Sequence, residues 1–325
     1  MAHLPQDEIR MTHRLDAGAD TAHWGYFEAS LAPRTTIRSG ESITISTVSG
    51  GVDVLPPADW GIPPGLSAIH QRFGGPALPG HVCTGPVAVE GARRGQVLQV
   101  DIEAIELHYD WGYTFVAPLA GALPDDVKAK RLFHSRIDRA RKVATMPWGH
   151  EIALDRPFFG VMAVAPPPEW GRVNTLPPRR NGGNLDNKEL VAGTTLYLPV
   201  FVDGANFSVG DGHGAQGDGE VCITAIETGL IGTFRLTLRD DMSLTWPMAE
   251  TPTHVLTMAF DPDLDAAVQI ALRSMIDLVT ARSGLDRDEA YALMSLVADV
   301  RVTQVVNGNK GIHVMLDKKW LARIR

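Results

Sequence analysis

Residues 209–229, "VGDGHGAQGDGEVCITAIETG", decide between two fold classes. Gly212, Gly214 and Gly217 satisfy the G-x-G-x-x-G spacing of a dinucleotide-binding loop. That loop works only where a strand precedes it and a helix follows, so that the helix N-terminus meets the pyrophosphate. Here "EVCITAIETG" alternates apolar and polar residues as a strand does, and Asp211, Asp218 and Glu220 would repel a phosphate. The glycines therefore belong to a β-rich protein.

The rest of the chain agrees. "ESITISTVSG", "GPVAVEGA", "QVLQVDIEAIEL" and "TTLYLPVFVDG" carry β-branched residues and end on glycine or proline. "EGARRG" reads as a hairpin turn leading into the strand that holds Val97, Val100, Ile102 and Ile105. The 22 prolines and 32 glycines suit many short strands joined by turns. "VLPPADWGIPPG", "VAPPPEWG" and "TLPPRRNGG" predict ordered loops of the kind that carry binding groups. Helical spacing enters late, in a run from Leu264 to a stop at Gly284, then in a second run opened by Asp286 with Glu289 three positions on, a capping box. Strand returns in "RVTQVVNG" and "GIHVMLD". The fold class is α+β, predominantly β, with two C-terminal helices. One unit over 10–320 is expected, with a β-rich N-terminal lobe (about 10–160), a site-bearing β segment (about 161–250) and a helix-plus-strand segment (about 251–320) sharing a core.

Composition narrows the function. A formal net charge of -8 argues against nucleic acid or an anionic membrane as partner. No run approaches the ~20 apolar residues of a membrane helix, and the start of the chain lacks the apolar region of an export signal, so a cytoplasmic protein is expected. Cys83 and Cys222 form no C-x-x-C zinc pattern, and reduced, buried, structural cysteines are the expectation. G-x-S-x-G, H-E-x-x-H and the phosphate loop ending in G-K-[ST] are absent.

The glycine stretch then has three readings: a bend that lets two backbones approach, a polar metal-free site, or a metal site. Asp211 and His213 are two apart, so in extended backbone they share a face, and Asp218 and Glu220 repeat the arrangement. A bend between the pairs would bring acids together that repel unless a cation or a shared proton sits among them. Oxygen ligands with one imidazole suit zinc, or calcium or manganese in a more oxygen-rich setting. Asn184 and Asp186 form a second pair near Arg179 and Arg180, whose ordinary role would be a solvated face. His81 and His23 are each either a hydrogen-bonded structural histidine or a site residue, and Trp24 beside His23 could wall a pocket.

Several segments together resemble the acetamidase/formamidase family: "HWGYF", "HVCTGPVAVEGARRGQVLQVDI", "PFFGVMAVAP", the long block over 177–221, and "EAYALMSLVADVRVTQVVNG". The resemblance runs from about residue 23 to about residue 311. It implies hydrolysis of formamide, acetamide and similar short amides to acid and ammonia. It also implies β-sandwich and barrel-like lobes with a smaller α/β part, bound zinc with calcium at a second site, and a homodimer or higher homo-oligomer. His213-Gly214-Ala215-Gln216 stands where relatives often carry His-Ala-Ala-Gln or His-Ala-Ala-Met. On this reading His81, Asp186, Asp211 and His213 hold the metal, and a metal-activated water attacks the amide. Glu220 is the general base, with Asp218, Asn184 and His23 as further catalytic candidates and Arg179, Arg180 and Gln216 toward the substrate. The alternatives are a hydrolase of a cyclic or larger amide or carbamate, and a non-catalytic β-scaffold stabilised by metal.

Overall fold

The structure is a computed structural model that describes residues 12–322. The segment on which the export-signal reading mainly rests, residues 1–11, lies outside the described residues, as does the very start of the 10–320 unit. Two large sheets and a two-stranded ribbon carry the fold among the described residues. The nine-stranded sheet runs, edge to edge, Thr12–Leu15, Ser42–Ser46, Leu230–Arg239, Val97–Leu107, Thr195–Pro199, Met248–Glu250, His254–Asp261, Lys310–Asp317 and Asp299–Gln304. Strands from all three segments of the chain interleave in it.

The eleven-stranded sheet centres on Phe207–His213. That strand pairs antiparallel with Phe158–Ala163, with Val82–Val89 and, at its C-terminal end, with Glu227–Thr228. Its first neighbours leave no open edge, and its seven residues are all buried. The inner faces of the two sheets bury Ile43, Val100, Phe159, Phe207, Val209 and Phe234 in one continuous core. This is the sandwich arrangement expected of alternating strands.

The C-terminal helices form as the sequence predicts. The helix Leu264–Ser283 is capped by Asp263, whose side chain accepts from the Ala266 amide, and stops at Gly284 with φ 82°. The helix Arg287–Val297 opens with the Asp286–Glu289 capping box. Both cover the outer face of the nine-stranded sheet, through Ala267, Ala271, Met275 and Met294 against Val255, Ile312 and Val314. An earlier helix (Pro64–Phe73) is hidden in the sequence by its prolines and glycine, which read as an ordered loop. Proline is in fact well suited to the first helical position, because its missing N–H has no helical partner to lose.

Two strand readings are corrected. "EGARRG" makes a turn, but the strands it joins, Val82–Val89 and Val97–Leu107, lie in different sheets and do not pair. Of "EVCITAIETG", only Glu227–Thr228 is strand; residues 220–226 form turns against neighbouring elements. No described helix is long and apolar enough to cross a membrane.

Candidate metal centre

Asp211 and His213 share a face of the central strand as their spacing predicts, with His213 Nε2 3.2 Å from Asp211 Oδ2. Opposite His213 in register stands Glu227, whose Oε2 lies 3.4 Å from the same nitrogen. Asp186 follows the short strand Gly182–Asn184 and is tied down by its own amide, which donates to the Gly160 carbonyl. Glu220 arrives from a turn that docks on the C-terminal strand: Gly219 N–H donates to Thr303 O, and Val305 N–H donates back to Gly219 O. Asn307 spans the last two acids, its amide donating to both Asp186 Oδ2 and Glu220 Oε2. All six side chains are buried.

Three of these acids hold left-handed backbone: Asp186 at φ 46°, Asp211 at 58° and Glu220 at 45°. Such conformations are uncommon outside glycine and persist where the surroundings over-determine them. Gly160 makes the approach possible. A Cβ there would stand 2.5 Å from Asp211 Oδ2, 2.6 Å from Asp186 Oδ1 and 2.8 Å from His213 Cε1. The glycines of the central strand do related work. A Cβ at Gly210 would meet the Val82 carbonyl at 2.3 Å, and one at Gly212 the Thr228 carbonyl at 2.4 Å. The stretch is both a close-approach strand and the bearer of the site.

The hydrogen bonds fix the proton on His213. Gln216 Nε2 donates to the Asp186 carbonyl oxygen at 2.9 Å, which leaves its Oε1 facing His213 Nδ1 at 2.8 Å. Nδ1 must then carry the hydrogen, and a neutral ring presents a lone pair at Nε2. That lone pair faces two carboxylates. His213 Nε2, Asp186 Oδ1 and Glu227 Oε2 are all buried without a hydrogen-bond partner. Two donors each about 2 Å from a tetrahedral zinc ion stand about 3.3 Å apart, which the two His213 distances match. Asp186, His213 and Glu220, and likewise Asp211, His213 and Glu227, bring their ligand atoms within 4.8 Å of one another.

The titration behaviour has the same cause. Burial, reinforced by neighbouring acids, holds the Asp186 carboxyl well above its ordinary range, and burial pushes Glu220 up to about 7 and raises Glu227. Burial opposes the charge of His213, yet Glu227 and Asp211 outweigh it and raise the imidazole. Asp211 is the exception: burial works against it, but His81 and His213 keep it below the usual carboxylate range. Groups that retain protons in this way mark a site short of positive charge. A divalent cation fits the residues present.

The remaining predicted residues divide. His81 Nε2 lies 3.7 Å from Asp211 Oδ2, and Asn184 is buried with an unpartnered Oδ1. Both line a cleft of about 300 Å³ whose floor also includes Asp211, Glu220, Glu227 and Asn307. Asp218 lies outside this group, 3.1 Å from Lys188, because the turn after Gly217 sends alternate side chains apart. The Arg179 guanidinium donates to Asn174 and to the Pro177 carbonyl, bracing its own loop, and Arg180 sits over the Trp170 ring. Neither lines the cleft. Gln216 orients His213 and does not line the cleft either. Of the tryptophans only Trp24 reaches it; Trp111 is core and Trp148 exposed.

His23 is buried with both ring nitrogens engaged, Nδ1 with Tyr26 O and Nε2 with Ser208 Oγ. Burial lowers its pKa to about 4. Between that value and its ordinary 6.5 the unfolded chain binds a proton that the folded chain refuses, so stability is full above 6.5 and falls as pH drops toward 4. The expected loss over this window is about 3 kcal/mol at 1.36 kcal/mol per pKa unit. Urea unfolding at pH 7 and pH 4.5 should show it, and His23→Gln should lose less; equal losses would remove His23 as the cause.

Glu227 and Asn307 escape the sequence reading. The signal for Glu227 is an acid inside an apolar alternation, "AIETG"; Asn307 offers none beyond its turn. Cys83 and Cys222 are both free thiols. Cys83 is buried, and burial raises its thiol further, so it is no thiolate nucleophile.

The chain is similar to known proteins in sequence and in fold. The profile of the acetamidase/formamidase family matches residues 169–316. The acetamidase of Mycolicibacterium smegmatis is 29% identical over 214 residues, 46% of this chain and 52% of that protein. The formamidase of Methylophilus methylotrophus is 28% identical over 191 residues, 43% of this chain and 47% of that protein. The matched region thus spans about half the length of these curated relatives. The crystal structure of an acetamidase from Bacillus halodurans superposes with a TM-score of 0.82 at 30% identity, over 94% of this chain and 98% of that one.

Proposed function

Because this chain belongs to the acetamidase/formamidase family, we propose that it is a metal-dependent amidohydrolase that cleaves short aliphatic amides such as formamide and acetamide to the carboxylic acid and ammonia. The observation that carries this reading is that two buried groups of ligand atoms, Asp186 with Glu220 and Asp211 with Glu227, share His213, and that His213 Nε2, Asp186 Oδ1 and Glu227 Oε2 have no hydrogen-bond partner. Asp211, His213 and Glu227 would hold the cation, with Asp186 beside them and His81 next to Asp211. When bound, a divalent cation supplies Lewis-acid polarisation and a nucleophile available at neutral pH; zinc suits the mixed nitrogen and oxygen set.

The chain's own residues do the rest. Gln216 fixes the His213 tautomer, and Asn307 holds Asp186 and Glu220 in place. Glu220 lines the cleft and titrates near neutrality, where a carboxylate both accepts and returns a proton readily. It takes a proton from the attacking water and delivers it to the departing nitrogen. Asn184, the amide of the cleft floor that Asp186 and Glu220 do not engage, donates to the substrate carbonyl as charge grows there. Asp218, His23, Arg179 and Arg180 take no part in these steps, since each is engaged elsewhere.

Glu220→Gln should therefore lower ammonia release from formamide and acetamide by about 10²–10⁴-fold, with metal content by mass spectrometry unchanged. Wild-type turnover in that variant would remove Glu220 from the chemistry. A homo-oligomer is part of the same proposal, resting on the family resemblance.

A further inference from the structure

The cleft is larger than its smallest substrates need. Its volume is about 300 Å³, at the lower end of the ~300–1,000 Å³ that enclose drug-sized ligands. At about 30 Å³ per water it matches some ten waters, whereas acetamide has four non-hydrogen atoms. Its lining has distinct parts. His81, Asp211, Glu220, Glu227, Asn184 and Asn307 form the floor, Trp24, Val54, Phe115, Leu176 and Ile223 supply apolar wall with the Tyr113 ring among them, and Ser49, Thr224 and the Lys130–Asp53 ion pair also line it. Phe115 and Ile223 are only partly buried, and the Lys130 ammonium lies 5.1 Å from the centre of the Phe115 ring.

Ile223 adds a separate observation. It holds φ 76°, a conformation that is an outlier for a β-branched residue. Its N–H donates to Glu220 O at 2.8 Å, so the turn that carries Glu220 into the floor also sets Ile223 in the wall. Glycine would occupy this position without strain. A strained isoleucine kept at a cleft wall is the kind of feature found at ligand-binding surfaces.

We infer that the wall formed by Trp24, Phe115, Leu176 and Ile223 is an acyl subsite, and that primary amides with a bulky apolar acyl group are better substrates than acetamide. The inference rests on the amidohydrolase reading. The acyl group lies along the wall, and the carboxamide reaches the floor.

The test compares ammonia release from phenylacetamide and acetamide on the same metal-loaded preparation. A single methylene in a hydrophobic site changes kcat/KM by about 10–200-fold, so phenylacetamide should exceed acetamide by at least about tenfold. Ile223→Gly, which relieves backbone strain, and Phe115→Ala should each cut that ratio by about tenfold; the ratio is independent of the fraction of folded enzyme. Acetamide hydrolysed as well as or better than phenylacetamide, or a ratio unmoved in both variants, overturns the acyl subsite and leaves the amidohydrolase reading standing. No ammonia from either amide overturns both.

Discussion

Gly160→Ala is expected to abolish metal binding and amide hydrolysis while leaving the chain folded. The backbone at Gly160 lies outside the left-handed region, so alanine can adopt its conformation. The effect comes from contacts alone. The new methyl would stand within 3.0 Å of atoms of Asp211, Asp186 and His213, distances that real Cβ atoms do not show. Two of these are carboxylate oxygens, and all three side chains are packed in a buried site. They must move together, and displacement of reacting groups by about 1 Å costs on the order of 10²-fold in rate. Overpacking adds about 1–3 kcal/mol of destabilisation, which a fold of this size tolerates. Gly75→Ala, where a Cβ meets nothing within 4 Å, is the matched control. Metal content and kcat/KM of wild-type magnitude in Gly160→Ala would show that these three side chains do not form the site.

The second large effect concerns the cation. Chelation of the purified protein should lower both its melting temperature and its activity, and added zinc should restore them. A ligand at 100 to 1,000 times its Kd stabilises a native protein by about 2.7–4.1 kcal/mol. Here the loss is compounded, because Asp186, Asp211, Glu220 and Glu227 are left buried with only His213 and His81 to compensate their charge. His213→Ala should reproduce the chelated state, and a chelator should then change nothing further. A wild-type protein whose activity and melting temperature both ignore the chelator would sink the metal reading, and His213 would then be an imidazolium clamped between Asp211 and Glu227.

Parts of this site can be read directly from the chain. Asp211 and His213 are found from period-two spacing alone, since neighbouring positions on one strand need no knowledge of the rest of the fold. The same rule fails one turn later. Asp218 and Glu220 are also two apart, but they stand in a turn beyond the strand, and one enters the floor while the other meets Lys188. Glu227 reaches His213 only through strand register, and Asn307 reaches Asp186 across 121 residues. No local pattern encodes either contact.

What the sequence by itself determined is therefore the short-range part: the β-rich character, the helical run from Leu264, the Asp286 helix start, the stop at Gly284, and the Asp211–His213 pair. Each depends on hydrogen bonds or side-chain directions within a few residues. Tertiary structure alone decided that "EGARRG" crosses between sheets, that prolines at residues 63 and 64 open a helix, and that four acids gather around His213. The reason is physical. Buried carboxylates repel one another, so nothing in local preference gathers them; only the packing of two sheets, with a glycine where a side chain would intrude, holds them where a cation can bind.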